Sequence, residues 1–402
     1  MSHIMLRMLL IFFMGFSSGL PLLLVGGTLQ AWMKDTQVDL SIIGLFSLVG
    51  LPYTLKFLWA PFMDRFIPFK LGRRRSWMLL TQAALVVSLF FLSLLNPAQT
   101  PFLVAGVALI LTFFSASQDI VLDAYRREFL KDEELGLGSS FFVNGYRIGM
   151  IVAGAFALFL ADQIAWSLVY KIMAAFMGVG ILITFISPEP KVEAVPPKSL
   201  REAVIDPFKD YFLRSNAWVI LFFILLYKLG DSMASSMTTP FILDLGFSKT
   251  DMATIAKTFG LIATIVGGFV GGALMLRMSV LKSLWYFGFL QMVSTAGFAL
   301  LAWQGKNIIT LTAVVAFENF SAGLGTVAYG AFMASLCNKK FTATQFALLS
   351  SLMGIPRVIF SAPTGYLVQS FGWSTFFIFC TLIALPGMLL LFKIAPAMQE
   401  KG

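Results

Sequence analysis

The chain of 402 residues has one histidine and two cysteines, and 12% of its residues are charged. The histidine, His3, lies in the N-terminal tail, which argues against a histidine-based metal site or general base elsewhere in the chain. Cys337 and Cys380 are too few for a disulfide framework, and we interpret both as packing residues. We therefore expect no cofactor, no metal and no enzymatic activity.

Charge is scarce because apolar residues dominate. The chain is 58% hydrophobic with a mean hydropathy of +0.85, whereas an average soluble domain is about 25% charged. Apolar stretches of about 20 residues recur, each long enough to cross a hydrocarbon core of about 30 Å. We predict twelve membrane spans, numbered in chain order: 8–33, 42–63, 76–95, 102–125, 138–160, 167–187, 216–243, 250–275, 282–302, 308–336, 343–369 and 374–394.

The net charge of +9 reflects topology and predicts no nucleic-acid partner. If the N-terminus is cytoplasmic, most of the 29 Lys and Arg lie at the cytoplasmic side. This asymmetry predicts that both termini lie inside the cell. We expect a multi-pass protein of a bacterial inner membrane that is surrounded by lipid.

A proline-rich, charged segment divides the spans into two sets of six. Its prolines at positions 188, 190, 196 and 197 forbid a continuous helix, and the segment predicts a linker at 191–215 between domains 1–190 and 216–402. GYRIGMIVAG in span 5 and MGIPRVIFSAPTG in span 11 place one arginine at matching positions. Two six-helix bundles around a central cavity, joined by a cytoplasmic linker, resemble the all-α membrane fold of major facilitator transporters.

The loop after span 2, APFMDRFIPFKLGRRRSW, resembles the cytoplasmic loop between the second and third helices of that superfamily. Carboxylate and guanidinium groups at a helix end favour charge-assisted pairs. We predict a cytoplasmic gate in which the loop residues pair with Asp123 or Arg126 of span 4. Its members are Asp64, Arg65, Arg73, Asp123 and Arg126. The alternative is a basic stop signal that only fixes orientation.

We single out nine charged residues inside the predicted spans, where each costs several kcal/mol unless it pairs or faces water. The acids are Asp119, Asp123, Asp231 and Glu318, and the bases are Lys56, Arg147, Lys228, Lys257 and Arg357. The excess of bases predicts a slightly basic cavity that attracts anions. Arg147 and Arg357 occupy matching places in spans 5 and 11, and we predict that they face each other across this cavity.

A transported proton would need a carboxyl group, because no buried histidine exists. Asp119 is the first candidate, since Asp123 lies one helical turn away and disfavours its ionised form. Glu318 is the second candidate, because it has no evident partner in its own helix. Asp231 ranks third, since Lys228 is three residues away and can hold it ionised.

Longer segments resemble the AmpG-type muropeptide permeases. They include FSSGLPLLLVGGTLQAWM, SASQDIVLDAYR, YKLGDSMASSMTTPF, SLCNKKFTATQFALLSS and GIPRVIFSAPTGYLVQSFGW. The resemblance implies proton-driven import of N-acetylglucosaminyl-1,6-anhydro-N-acetylmuramic acid, with or without a short peptide, for peptidoglycan recycling. It also implies supply of the ligands that govern β-lactamase induction, which bears on antibiotic resistance.

Such an anionic substrate would need bases for its carboxylates, and amides and rings for its sugars. The candidates are Gln30, Trp32, Tyr53, Lys56, Gln118, Asn144, Tyr146, Arg147, Lys228, Lys257, Asn319 and Arg357. Many rings in a chain with 15% aromatic residues pack against lipid or neighbouring helices instead.

Alternative functions remain open. The first is transport of another anionic solute such as an acyl-coenzyme A, because acetyl-coenzyme A transporters share fragments of these segments. More remote are an embedded enzyme, for which Ser232 and Lys228 are four residues apart, and a sensor that binds the ligand without moving it. We expect a monomer.

Overall fold

The computed structural model describes residues 2–38, 42, 46–190, 199–213, 216–248, 251–360 and 363–399. Every regular element within these ranges is helical, so the predicted all-α fold class is confirmed. The chain divides into two compact units, Met1–Pro207 with Ala334–Ser351, and Phe208–Met333 with Leu352–Gly402. The predicted domains 1–190, 191–215 and 216–402 stay a prediction.

Ten helices in the described part of the chain are long and apolar enough to cross a membrane. They match spans 1, 3 to 10 and 12, and their bounds are Ile4–Asp35, Arg73–Ser93, Pro101–Phe129, Asp132–Ala161, Trp166–Ile186, Ala217–Asp244, Thr254–Leu274, Val280–Gln304, Ile308–Leu336 and Thr364–Ile394. Spans 2 and 11 correspond to shorter apolar helices, Leu48–Leu58 and Thr342–Ile355. Gly372, whose φ of 77° is non-helical, separates two helices within the stretch Thr364–Ile394, and the first of them belongs to the end of span 11.

Two spans are interrupted near a lysine. Span 2 consists of short pieces, Leu51–Leu55, a 3-10 turn at Lys56–Leu58, and Ala60–Arg65. Two of these pieces carry a proline in their first turn, where the missing N–H is tolerated but a preceding helix ends. Span 7 breaks between Ala217–Leu226 and Leu229–Asp244, so Lys228 stands at the interruption.

Three other spans contain π-helical turns, at Val152–Phe156 in span 5, Met252–Phe259 in span 8 and Pro356–Phe360 in span 11. Such turns are rare and occur frequently at functional sites. Lys257 and Arg357, which the sequence predicts as ligand-binding bases, lie within two of them.

Spans 1 and 5 pack with their backbones in direct contact. A Cβ atom at Gly15 or Gly19 would collide with a carbonyl of span 5, and one at Gly145 or Gly149 with a carbonyl of span 1. Small residues permit this approach between membrane helices. The contact fixes the part of span 5 that carries the predicted substrate-binding residues.

Each unit has its own hydrophobic core. The core of the first unit includes Trp32, Leu89, Leu111 and Tyr170. Phe241, Phe298 and Phe377 form aromatic contacts in the core of the second, with ring centroids 4.8 to 6.2 Å apart. The two cores come from different spans, so each unit buries apolar side chains by itself.

Candidate functional site

The buried carboxylate of Asp64 binds both an arginine and the beginning of a helix. Arg74 Nη2 donates to Asp64 Oδ1 at 2.8 Å. The backbone N–H groups of Ala343 and Thr344 donate to the same carboxylate at 3.2 and 2.8 Å, and Thr344 Oγ1 donates at 2.8 Å. The first N–H groups of a helix lack intrahelical partners, and a negative charge there is stabilising. Asp64 therefore caps the helix Thr342–Ile355 from the short helix Ala60–Arg65, which is distant in the sequence.

Glu128 supplies the second carboxylate of this cluster. Arg74 is fully buried and donates through Nε to Glu128 Oε2 at 2.9 Å and through Nη2 to Glu128 Oε1 at 2.5 Å. Arg73 donates to the same carboxylate at 3.2 Å and to the carbonyl oxygen of Asp64 at 3.0 Å. Bidentate pairs of this kind are among the strongest charge-assisted hydrogen bonds.

The beginning of span 3 is capped by Glu189, which follows span 6. Its carboxylate accepts from the backbone N–H groups of Arg74 and Arg75 at 2.8 and 2.9 Å. Gly72, the residue before the helix, has a φ of 98°, and a Cβ there would collide with the Glu189 side chain. Glycine is the residue that tolerates both conditions.

The predicted gate residues form two groups. Asp64 pairs with Arg74, because consecutive residues at a helix start point about 100° apart and Arg73 reaches the Asp64 backbone instead. Asp123 pairs with Arg126 at 3.1 Å within span 4. The Arg126 guanidinium also lies over the rings of Phe142 and Phe346, at 4.5 and 5.5 Å from their centroids. Arg65 lies over the ring of Phe66, 5.2 Å from its centroid.

Sequence reasoning missed Glu128 and placed Arg74 outside the gate. Glu128 directly follows two arginines at the end of span 4, and its acidic side chain could have been matched with the loop arginines. That signal does not identify which arginine pairs with Glu128, because the two partners are 54 positions apart in the sequence. Whether the cluster works as a gate stays a prediction.

A second charged group surrounds Asp119 in the first unit. Ser18 Oγ donates a hydrogen bond to Asp119 Oδ1. Lys56, which is 7% exposed, acts electrostatically on both Asp119 and Asp123. Tyr53 lies near Asp119 and donates its hydroxyl to Ser115 Oγ at 2.9 Å. Lys56 thus interacts with two of the acids that the sequence places inside the spans.

Two buried amides of the first unit have polar atoms without a partner among the described residues. Both amide atoms of Asn144 and the Nε2 atom of Gln118 lack a hydrogen bond, although both side chains are fully buried. Gln118 Oε1 accepts from Ser17 Oγ at 3.5 Å. A buried polar atom left without a partner costs about 1–3 kcal/mol. These amides are therefore suited to bind a polar ligand.

The remaining candidates of the first unit differ in their surroundings. Trp32 is 4% exposed and packs on Trp166 and Tyr170, with ring centroids 6.0 and 4.9 Å apart, so its contacts favour a structural role. Gln30, Tyr146 and Arg147 are half-buried, and the latter two have interactions within the fold.

The second unit contains a polar cluster at the interruption of span 7. Lys228 Nζ lies 3.3 Å from Asp231 Oδ2 and donates to Gln291 Oε1 at 3.1 Å. Glu318 accepts from Ser294 Oγ at 2.5 Å and from Thr295 Oγ1 at 3.4 Å. The sequence predicted the contact between Lys228 and Asp231, whereas the hydroxyl partners of Glu318 come from span 9.

Two hydrogen bonds within the second unit fix the side chain of Asn319. Its Nδ2 donates to the carbonyl of Val315 at 2.9 Å, and its Oδ1 accepts from Thr264 Oγ1 at 3.0 Å. The side chains of Lys257 and Arg357 lie outside the described part of the structure. Their predicted contacts with a ligand, and the predicted approach of Arg147 and Arg357, stay predictions.

Comparisons with known proteins place the chain in a family. The model of the Major Facilitator Superfamily matches residues 8–361. The chain is 46% identical to an anhydromuropeptide permease of Escherichia coli K12, over 96% of this chain and 79% of that protein. It is 35% identical to a protein of Rickettsia bellii that bears the name transporter AmpG 1, over 97% of this chain and 98% of that protein.

Solved structures show the same fold at low sequence identity. The proton:xylose symporter XylE matches with a TM-score of 0.71 at 11% identity, covering 98% of this chain and 96% of that chain. FucP in the outward conformation matches with a TM-score of 0.71 at 13% identity, covering 96% and 97%. The relatives are named permeases and transporters, so the chain is a transporter and not an enzyme. It belongs to the AmpG-type permeases of the major facilitator superfamily.

Proposed function

We propose that this chain imports cell-wall muropeptides across the bacterial inner membrane, driven by the proton gradient. The substrate is N-acetylglucosaminyl-1,6-anhydro-N-acetylmuramic acid, with or without its peptide. The observation that carries the proposal is the 46% identity to the anhydromuropeptide permease of Escherichia coli over 96% of this chain. Import of this substrate would support peptidoglycan recycling and supply the ligands for β-lactamase induction.

The chemistry of the candidate residues supports this substrate class. The lactyl group of the muramic acid and the peptide both carry carboxylates, which the ammonium and guanidinium groups of Lys228 and Arg147 can bind. The acetamido groups and hydroxyls of the sugars need hydrogen-bond partners. The unpartnered amide atoms of Gln118 and Asn144 are of the right kind, and binding would relieve the cost of burying them.

Proton coupling requires a buried carboxyl group that alternates between its charged and neutral forms. Two places in the structure offer one. The first is Asp119 with Lys56 and Ser18, and the second is the cluster of Asp231 and Glu318 beside Lys228. A neutral carboxyl group costs less free energy to bury than a charged one, so burial favours proton uptake at both places.

The cytoplasmic cluster of Asp64, Arg74 and Glu128 supports a gate between transport states. Asp64 ties the loop after span 2 to the start of the helix Thr342–Ile355. Release of that helix would disrupt several charge-assisted hydrogen bonds at once. We propose that this cluster closes the cytoplasmic side, that both termini lie in the cytoplasm, and that the protein acts as a monomer.

Counterflow tests the substrate. Proteoliposomes that contain the purified protein are loaded with unlabelled anhydro-disaccharide and diluted into the labelled compound. Transient accumulation of unaltered label is expected, and excess external anhydro-muropeptide should suppress it, whereas acetyl-coenzyme A should not. Suppression by acetyl-coenzyme A alone would favour the acyl-coenzyme A alternative. Chemically altered label would indicate an enzyme, and tight binding without any flux would indicate a sensor.

A further inference from the structure

We propose that Lys228 couples substrate binding to proton uptake by exchanging Asp231 for a carboxylate of the substrate. In this structure, Lys228 pairs with Asp231. When a substrate carboxylate takes the ammonium group, Asp231 loses its counter-ion, and the pair of Asp231 and Glu318 gains one proton from water. The inference rests on the proposed function, because it needs a substrate that carries a carboxylate.

Lys228 is positioned for such an exchange. It stands at the interruption of span 7, between the helices Ala217–Leu226 and Leu229–Asp244. Its ammonium group has three donors, and the structure gives two oxygen partners, Asp231 at 3.3 Å and Gln291 at 3.1 Å. Strong charge-assisted bonds are about 2.7–2.9 Å long, so this ion pair is a loose one. The side chains of Lys228 and Asp231 are 12% and 23% exposed, so both are partly accessible.

Glu318 forms the buried end of the cluster. It is 8% exposed, its carboxyl group accepts hydrogen bonds from Ser294 and Thr295, and Asp231 interacts with it electrostatically. Two carboxyl groups that share a site disfavour each other's ionised form, so one of them holds a proton more readily than a lone carboxyl group would. With Lys228 carrying one positive charge, the cluster is neutral when the pair holds one proton.

The other titratable groups that face the pair leave the proton count unchanged near neutral pH. Among the described residues they are Tyr227 and Cys380, whose ordinary pKa values are about 10 and about 8.5. Both also line a cavity of about 10 Å³ together with Asp231, Gln291 and Thr295. Such a volume admits one water molecule, and Gln291 Nε2 has no other partner within the described residues.

Because the cluster stays electrically neutral, the exchange couples the binding of the substrate to the uptake of a proton. A substrate carboxylate on Lys228 neutralises the ammonium group, which leaves the Asp231–Glu318 pair with one uncompensated negative charge. Protonation of the Asp231 carboxylate by water from the open side removes that charge. After the substrate leaves, Lys228 returns to Asp231, and the proton passes back to water on the other side.

The test measures protons taken up on binding. Purified wild-type protein is titrated calorimetrically with the anhydro-disaccharide in buffers of different ionisation enthalpy, over about pH 5.5 to 8. Uptake of about one proton is expected, with an affinity that increases about tenfold for each unit fall in pH across the titrating interval. Asp231→Asn and Glu318→Gln should each keep this dependence, because the remaining carboxyl group takes the proton. The double variant should bind the substrate without it.

Two further variants separate the outcomes. Lys228→Gln should weaken binding strongly and remove the proton uptake, whereas Asp132→Asn, a 75% exposed carboxylate, should behave as the wild type. The inference is overturned if the folded double variant or Lys228→Gln retains wild-type proton uptake, or if Asp119→Asn alone abolishes it. Wild-type protein that binds the disaccharide without proton uptake refutes this inference alone. Wild-type protein that does not bind it at any pH refutes the proposed function.

Discussion

Asp64→Asn is expected to release the helix Thr342–Ile355 from the loop after span 2. The Asp64 carboxylate accepts hydrogen bonds from Arg74, Ala343 and Thr344, the last through two of its atoms. An asparagine keeps one acceptor oxygen and loses the negative charge. It also directs an amide N–H₂ group toward donors that need an acceptor.

The size of the effect follows from the number and burial of these bonds. Breaking a buried ion pair costs about 3–5 kcal/mol, and Arg74 keeps its two hydrogen bonds to Glu128. We therefore expect a loss near the lower end, about 3 kcal/mol. Since about 1.4 kcal/mol corresponds to a factor of ten, the balance between the closed and open states of the proposed cytoplasmic gate would shift by more than about 100-fold.

Two measurements report on this shift. Hydrogen exchange of the Ala343 and Thr344 amides should accelerate, because both lose a charged acceptor. A reporter cysteine at Ser351, seven residues after Thr344 and so on the same helix face, should react faster with an impermeant maleimide from the cytoplasmic side. Cys337 and Cys380, both buried, are replaced by serine in this background.

The matched control is Asp132→Asn. Asp132 pairs with Arg127 at 2.6 Å, but its side chain is 75% exposed, and exposed pairs contribute about 0–1 kcal/mol. It should change neither measurement. Unchanged exchange and unchanged labelling in Asp64→Asn would rule out the gate and leave the loop with the simpler role of fixing orientation.

Four further substitutions have expected outcomes. Arg147→Gln and Arg357→Gln should each reduce uptake strongly at normal expression, and normal transport by both would end the proposal that these bases bind carboxylates. Glu128→Gln should lower the free energy of unfolding by about 3–5 kcal/mol in a thermal unfolding assay. The reason is that the buried guanidinium groups that pair with Glu128 lose the negative charge that balances them. Gly145→Val should prevent folding, because its Cβ would collide with a backbone carbonyl. Gly178→Ala should fold normally, because the space around Gly178 is open. Equal yields of monodisperse protein from the two variants would contradict the described packing of spans 1 and 5.

Most of the fold could be predicted because it depends on composition and length. Apolar runs of about 20 residues identify membrane helices, and the prolines at 52 and 61 are by themselves enough to indicate an irregular helix in span 2. The interruption at Lys228 has no such signal, since neither proline nor glycine stands at the break itself. It depends on contacts with neighbouring spans, where Tyr227 donates its hydroxyl to the carbonyl of Leu284 at 2.9 Å.

The candidate site was only partly predictable, because charge alone does not specify partners. Asp64 and Arg73 were identified as interacting residues, but the pairing with Arg74, Glu128 and Thr344 joins positions up to 280 residues apart. Lys228 and Asp231 were predicted as a pair because they are three apart on one chain segment. The contact of Glu318 with Asp231 joins different spans and needs the tertiary structure.

Proton-driven accumulation of the proposed substrate tests the central claim most directly. Proteoliposomes that contain the purified protein are given labelled N-acetylglucosaminyl-1,6-anhydro-N-acetylmuramic acid under an imposed pH gradient, acidic outside, with and without a protonophore. We predict an internal concentration above the external one, which the protonophore and the absence of protein both abolish. Uptake that only equilibrates with the external concentration, whatever the gradient, would contradict proton-driven import.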